Sequence, residues 1–156
     1  MRFAEFVCLE SVQTDLLAVD RQGVIHEMVQ ALQDAGQLRE DDFKPIVDAI
    51  LKREEFGSTG IGRRAAIPHA KHPGVNQTVA TVGISRRGVD FASLDGDPVY
   101  VFFLLISPTE RPDDHLRALE CTARQLRKDT FCRFLRQASS VDEIKQLLDE
   151  ADEHLA

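Results

Sequence analysis

Apolar residues recur at helical spacing in two segments of the N-terminal half of the chain. The first segment follows Asp20, a residue type favoured at helix N-caps, and ends at Gly36. Its apolar face consists of Val24, Ile25, Met28, Leu32 and Ala35. The second segment covers residues 41–53, where Pro45 fits because the first turn of a helix tolerates a missing N–H. Both patterns predict amphipathic helices that bury one face.

Three segments have the composition of β-strands. Residues 12–19 and 79–85 are rich in β-favouring side chains and have the length of a strand. Residues 99–106 form a continuous apolar run, which is typical of a strand buried on both faces. A turn is expected just before this run, at residues 95–98, because Asp, Gly and Pro favour turns.

The C-terminal third is predicted to be helical. Asp113 or Asp114 can cap one helix, and Ser140 with Glu143 forms a capping box before another apolar stripe. Strands and helices follow one another without strict alternation. We therefore expect one α/β domain over residues 1–156, a sandwich with a mixed β-sheet flanked by helices.

Charge and composition exclude several classes of protein. The formal net charge is -7, so the chain as a whole repels phosphate polymers, and neither nucleic acid nor an anionic membrane is expected as a partner. The longest apolar run has eight residues, against about 18 for a membrane span, and no secretory signal begins the chain. We therefore expect a cytoplasmic protein without membrane insertion. Its widely spaced cysteines, Cys8, Cys121 and Cys132, are expected to be reduced core residues.

A glycine-rich segment interrupts the apolar pattern between residues 56 and 75, and we expect a long loop there. From residue 56 to residue 89 the chain has no Asp or Glu. The same stretch carries five basic residues, Arg63, Arg64, Lys71, Arg86 and Arg87. Glycines let backbone N–H groups approach an anion, and cations neutralise its charge, so the segment indicates an anion site. On composition alone, a solvated loop that lacks acidic residues explains the pattern equally well.

Two histidines lie in this segment, and the first of them, His69, follows Pro68. A neutral imidazole is nucleophilic near pH 7 and can hold a phosphoryl group, although a single loop histidine more often only satisfies local hydrogen bonds. The spacing of His69 and His72 also occurs in metal sites, but no Cys, Asp or Glu nearby completes a ligand shell. Nucleotide-binding and zinc-hydrolase motifs are absent from the sequence, so neither a cofactor nor a metal is expected.

Three pieces of the sequence, taken in order, resemble enzyme IIA of the bacterial phosphotransferase system. They are residues 53–62 (REEFGSTGIG), residues 66–71 (AIPHAK) and the pair formed by His115 and Leu116. The resemblance is to the fructose and mannitol class, and within it to the nitrogen-regulatory branch. It covers nearly the whole chain.

This resemblance implies a phosphocarrier in which His69 accepts a phosphoryl group from a phosphohistidine on a carrier protein of the HPr or NPr type. Arg53 and His115 are implied as hydrogen-bond donors to the phosphoryl oxygens. The loop residues implied to bind phosphate are Ser58, Thr59, Gly60 and Gly62. Three basic residues are expected to steer the anionic donor towards the site, namely Arg63, Arg64 and Lys71.

The branch of the family decides the downstream partner. The chain length and residues 105–108 (LISP) resemble the nitrogen-regulatory branch, whose members signal by binding other proteins, so a regulatory target is expected. The alternative is a separate IIA subunit of a fructose- or mannitol-type transporter, which passes phosphate to a IIB domain. Two further hypotheses are a module that acts by docking alone and a metal-dependent hydrolase that uses His69, His72 and His115.

Overall fold

The structure, a computed structural model, describes residues 1–154. Its helices are α1 (Arg21–Asp34), α2 (Phe43–Glu55), α3 (Pro112–Leu126), α4 (Asp129–Gln137) and α5 (Val141–Glu153). Its strands are β1 (Gly60–Gly62), β2 (Ala65–Ala66), β3 (His69–Lys71), β4 (Val79–Val89) and β5 (Val99–Ser107). No helix in this range is long and apolar enough to cross a membrane. The last two residues of the predicted domain lie outside the described range.

Strand β5 is the centre of the sheet. Strands β2 and β3 both pair with it in parallel along one edge, and β4 pairs with it in the antiparallel direction along the other. Strand β1 extends the sheet by pairing antiparallel with β2. The sheet is therefore mixed, and helices cover it on both faces, which confirms the predicted fold class.

The apolar run of β5 is buried on both faces, as its sequence predicts. Phe103 and Leu105 pack into a core shared with α3, α4 and α5, whereas Phe102 and Leu104 pack into a second core with α1 and α2. The division follows from the geometry of a strand, in which successive side chains point to opposite faces. All three cysteines lie in the described range and are buried and unpaired, as expected.

The predicted strand at residues 12–19 is wrong. The backbone N–H groups of Gln13 and Leu16 donate to carbonyls of β4, but only one isolated bridge, between Gln13 and Gly83, forms there. Pairing stops because the carboxylate of Glu27 in α1 accepts the N–H groups of the next two residues at 2.8 to 3.1 Å. A helix-borne carboxylate thus replaces the strand partner that the composition of this segment favours.

The expectation of a long loop between residues 56 and 75 is also wrong, because β1, β2 and β3 all lie within it. These strands are too short to show an alternating pattern. They form because the edge of β5 supplies backbone partners. Leu105 donates its N–H to the carbonyl of Pro68, and His72 donates its N–H to the carbonyl of Ser107, both at 2.9 Å.

The N-caps Asp20 and Ser140 were predicted correctly, and the N-cap of α3 was not. The capping box at Ser140 forms only in part, because Glu143 accepts the N–H of Ser139 instead. The side chains of Asp20 and Ser140 each accept a hydrogen bond from the backbone N–H three residues later, at 2.7 and 3.1 Å. Helix α3 instead begins at Pro112, so Asp113 and Asp114 lie inside its first turn. Their negative charges still favour that end of the helix, because the helix dipole is positive there.

Candidate active site

His69 is the first residue of β3, and its ring is held by the backbone just before it. Its Nδ1 atom lies 2.7 Å from the carbonyl oxygen of Ile67. A carbonyl oxygen only accepts hydrogen bonds, so Nδ1 carries the proton and donates it. Nε2 therefore keeps a free lone pair. This nitrogen is the nucleophilic atom of the neutral imidazole.

His115 lies beside His69, in the first turn of α3. The centroids of the two rings are 5.5 Å apart, and the planes are inclined by 54°. The His115 side chain is buried, with its Nδ1 atom 2.6 Å from the hydroxyl oxygen of Ser107 at the end of β5. The structure therefore brings together the two histidines that the sequence analysis singled out, although 46 positions separate them in the chain.

Both rings are neutral near pH 7. Burial lowers the pKa of His69 below the usual 6.5, against the opposing effect of its bond to the Ile67 carbonyl, and the positive charge of Arg53 lowers it further. Burial lowers the pKa of His115 to about 4, and the electrostatic effects of His69 and Lys71 act in the same direction. A neutral His69 keeps its Nε2 lone pair available for reaction at physiological pH.

Arg53 lies in the last turn of α2 and shares a hollow with His69. This hollow has a volume of about 220 Å³ and is lined by Arg53, Ser58, Thr59, Ile61, Ile67, His69, Leu119 and Ala123. One guanidinium nitrogen of Arg53, Nη1, donates to the carbonyl of Gly57 at 2.8 Å. A guanidinium has five N–H donors, so most of them remain for an anion bound beside His69.

Glu54, which the sequence analysis missed, holds the glycine-rich segment in place. The residue is 3% exposed, and its side chain accepts hydrogen bonds from the backbone N–H of Thr59, at 3.2 Å, and from the Thr59 hydroxyl. Burial raises the pKa of Glu54, although Thr59 and the nearby charges of Arg21 and Arg53 act in the opposite direction. The sequence includes Glu54 in the motif at residues 53–62, but it does not show that this acidic side chain is buried.

Three of the loop residues predicted to bind phosphate already use donors in hydrogen bonds to other protein groups. The Thr59 hydroxyl donates to Glu54, and the Ser58 hydroxyl donates to the carbonyl of Phe91. The backbone N–H of Gly60 donates to the Ser58 oxygen at 3.0 Å. Ser58 and Thr59 nevertheless line the hollow, so in this structure they shape its wall.

Gly62 and the two arginines that follow it turn the chain from β1 into β2. All three have positive φ, at 85° for Gly62, 57° for Arg63 and 64° for Arg64, which is the left-handed region that costs a non-glycine residue about 1 kcal/mol or more. Arg63 forms an ion pair with Asp129 at 2.8 Å, and the guanidinium of Arg64 lies 5.8 Å from the centroid of the Tyr100 ring. Neither arginine lines the hollow around His69.

Lys71 and His72 occupy opposite sides of the β3 end. Lys71 is exposed, and its charge acts on His115. The His72 Nε2 atom lies 3.1 Å from the carboxylate of Asp42, so this ring ties the end of β3 to the start of α2. Within residues 1–154, no group of three or more His, Cys, Asp or Glu side chains is arranged to hold a metal ion.

Comparison with known proteins finds relatives of two kinds. The chain is 34% identical over 152 residues to the PTS system fructose-specific EIIABC component of Bacillus subtilis, a match that covers 97% of this chain and 24% of that protein. It is also 34% identical over 128 residues to a nitrogen regulatory protein of Bradyrhizobium diazoefficiens, covering 80% of this chain and 84% of that one. These are the two branches considered from the sequence.

Solved structures of other proteins have the same fold as this chain. The crystal structure of nitrogen regulatory protein IIA-Ntr from Neisseria meningitidis superposes with a TM-score of 0.84 at 28% identity, covering 94% of this chain and 98% of that one. The family model described as "Phosphoenolpyruvate-dependent sugar phosphotransferase system, EIIA 2" matches residues 5–151. The resemblance drawn from the sequence is confirmed, and the chain belongs to the EIIA 2 family of the phosphoenolpyruvate-dependent sugar phosphotransferase system.

Proposed function

We propose that His69 accepts a phosphoryl group on Nε2 from a phosphohistidine of an HPr- or NPr-type carrier, and that the protein signals its phosphorylation state to partner proteins. One observation carries the proposal. The Nδ1 proton of His69 is committed to the Ile67 carbonyl, which leaves the Nε2 lone pair free in a ring held neutral beside Arg53 and His115. This is the state that a nucleophile requires.

The transfer balances without a proton donor or a cofactor. The phosphorus–nitrogen bond of the donor breaks and leaves its electron pair on the donor imidazole, while the Nε2 lone pair of His69 forms the new phosphorus–nitrogen bond. The proton stays on Nδ1 of His69, which donates it to the Ile67 carbonyl throughout. Because the donor and the product are both phosphohistidines, the equilibrium constant is near one and the transfer is reversible, as a relay requires.

Arg53 supplies the positive charge for the transferred group. The phosphoryl group passes through a loose transition state with its charge spread over three oxygens, and hydrogen bonds to charged groups each contribute about 1.5–3 kcal/mol. Arg53 lies in the same hollow as His69 and keeps free N–H groups after its bond to Gly57. The structure has few other free donors at this place, because the loop donors of Ser58, Thr59 and Gly60 are committed elsewhere.

The surface around the hollow suits a protein partner. Ile61 and Leu116 are 40% and 55% exposed, so apolar contact area is available close to His69. We assign the docking of the carrier to this surface, with long-range steering by Lys71 and, at the β1–β2 turn, by Arg63 and Arg64. Phosphorylation adds close to two negative charges here, so a partner that reads this surface responds to the state of His69.

Phosphorylated His69 can act in two ways, by signalling to a regulatory target or by passing its phosphoryl group to a IIB domain. The likeness to a nitrogen regulatory protein over 80% of this chain supports a signalling role through a regulatory target. The likeness to a fructose-specific EIIABC component supports the alternative, transfer from His69 to a IIB domain. Mixing the phosphorylated protein with a IIB domain decides between them, since only a transporter subunit loses its phosphate quickly to that acceptor.

The site itself is tested by incubating the protein with a phosphorylated carrier and measuring phosphate that is labile to acid and stable to alkali. His69→Gln is expected to abolish the label, whereas the control His154→Gln, at the exposed end of α5, keeps it. A label that persists in His69→Gln contradicts the assignment of the acceptor. A wild-type protein that no carrier labels supports the module that acts by docking alone.

A further inference from the structure

We propose that Ser107, oriented by Thr78, selects the tautomer of His115 and thereby makes that ring a hydrogen-bond donor to the phosphoryl group on His69. The proposal rests on the proposed function, because it concerns the same transfer. It assigns a positioning role to Thr78, which no sequence motif includes, and to Ser107, which the sequence marked only as part of residues 105–108.

The evidence is a chain of three buried side chains. Thr78 precedes β4, Ser107 ends β5 and His115 lies in the first turn of α3. Their exposed fractions are 9%, 0% and 7%, so water does not compete freely for their hydrogen bonds. The Thr78 hydroxyl donates to the Ser107 oxygen at 3.2 Å, and that oxygen lies 2.6 Å from the Nδ1 atom of His115.

The direction of this chain determines where the His115 proton lies. A serine hydroxyl has one proton and two lone pairs. With Thr78 donating to the Ser107 oxygen, Nδ1 of His115 is the acceptor that the described residues offer to the Ser107 proton, and we assign the proton to that bond. A neutral imidazole that accepts at Nδ1 carries its proton at Nε2. His115 is therefore an Nε2–H donor.

His69 has the opposite tautomer. The Ile67 carbonyl forces its proton onto Nδ1, so the lone pair lies on Nε2. The two rings, 5.5 Å apart, thus have complementary roles, one as nucleophile and one as donor. If His115 had the tautomer of His69, its Nε2 lone pair would repel the phosphoryl oxygens instead of binding them. The hydroxyl pair prevents this arrangement.

The backbone explains why a serine can act here. Ser107 pairs with Lys71 across the β3–β5 ladder, and its carbonyl accepts the N–H of His72, so β3 holds its main chain. Its side chain lies between Thr78 and His115. A residue without a hydroxyl would leave Nδ1 of His115 buried and without a partner, which permits either tautomer.

The test combines nitrogen NMR of the histidine rings with the rate of phosphoryl transfer from a phosphorylated carrier. Ser107→Ala is expected to convert the single Nε2–H signal pattern of His115 into a mixture of tautomers and to slow transfer about ten-fold, the effect of one buried hydrogen bond. Thr78→Val, which keeps the side-chain shape, is expected to slow it about three-fold, and Thr78→Ser to restore it.

Thr122→Val is the matched control, because the Thr122 hydroxyl is equally buried in α3 but donates to the carbonyl of Ala118. It should leave both readouts unchanged. The proposal is overturned if His115 keeps one tautomer in Ser107→Ala, or if transfer in that variant proceeds at the wild-type rate. Failure of the proposed function gives a different result, namely no label on wild-type His69, and the NMR spectra still report whether Ser107 selects the tautomer.

Discussion

Replacement of Glu54 by Gln should loosen the segment that forms the wall of the His69 hollow. The buried carboxylate of Glu54 accepts both the backbone N–H and the hydroxyl of Thr59. Glutamine offers one oxygen and an NH₂ group, so one Thr59 donor faces another donor. Leaving a buried donor without an acceptor costs about 1–3 kcal/mol. A domain of this size loses about 3 °C of melting temperature per kcal/mol, so Glu54→Gln should melt about 3–9 °C below wild type.

The raised pKa of Glu54 also predicts how the difference in melting temperature changes with pH. Burial raises the pKa of Glu54 in the folded state above its unfolded value of 4.5, so the folded protein binds this proton more readily. The resulting stability is complete below pH 4.5 and is lost as the pH rises through the folded pKa. The melting temperature of wild type should therefore exceed that of Glu54→Gln by more at pH 4 than at pH 7.

The matched control is Glu55→Gln, which removes the same charge from the next, exposed residue of α2. Scanning calorimetry of the three proteins at both pH values measures the effect. Equal melting temperatures for Glu54→Gln and Glu55→Gln would refute the reasoning, because they would show that the carboxylate of Glu54 does not hold Thr59. A gap that widens towards pH 7 would refute the direction of the pKa shift.

Three other predictions concern the transfer reaction. Arg53→Lys keeps the charge but replaces the planar fork of donors, which can serve Gly57 and a phosphoryl group together, with a compact ammonium. Stopped-flow transfer should therefore slow at least ten-fold, whereas Lys52→Arg should not change it. His115, with its pKa lowered to about 4, should show no titration by NMR between pH 8 and pH 5.5, and a midpoint near 6.5 would contradict this. Lys71→Gln should slow transfer several-fold at low salt, and Arg64→Gln should slow it less. At 1 M salt both variants should transfer at the wild-type rate, because salt screens the charges. Rates that do not depend on ionic strength would exclude steering.

The helices and the central strand were predictable because their signals are local. The face of α1 follows from apolar spacing after Asp20, and the two-sided burial of β5 follows from its uninterrupted apolar run. The prediction of a strand at residues 12–19 was wrong because pairing with β4 does not continue past Leu16. Glu27, on another element, accepts the N–H groups that pairing would need.

The short strands β1, β2 and β3 are the reverse case, since they form where the local sequence did not predict a strand. Each has two or three residues, too few for a periodic pattern, and each exists because an edge of the sheet supplies hydrogen-bond partners. His69 is placed by this pairing, opposite Leu105. A glycine-rich composition therefore indicated the chemistry of the segment but not its regular structure.

The sequence by itself determined the family, the fold class and the residue types of the candidate site, since these depend on motifs and on apolar periodicity. Only the tertiary structure decided which hydrogen bonds those residues make. It committed the hydroxyls of Ser58 and Thr59 to Phe91 and Glu54, and it placed Ser107 against His115. The physical reason is that a local pattern reports how a residue relates to its near neighbours. A tautomer or a donor is set by partners that only the packing of the sheet against the helices brings into contact.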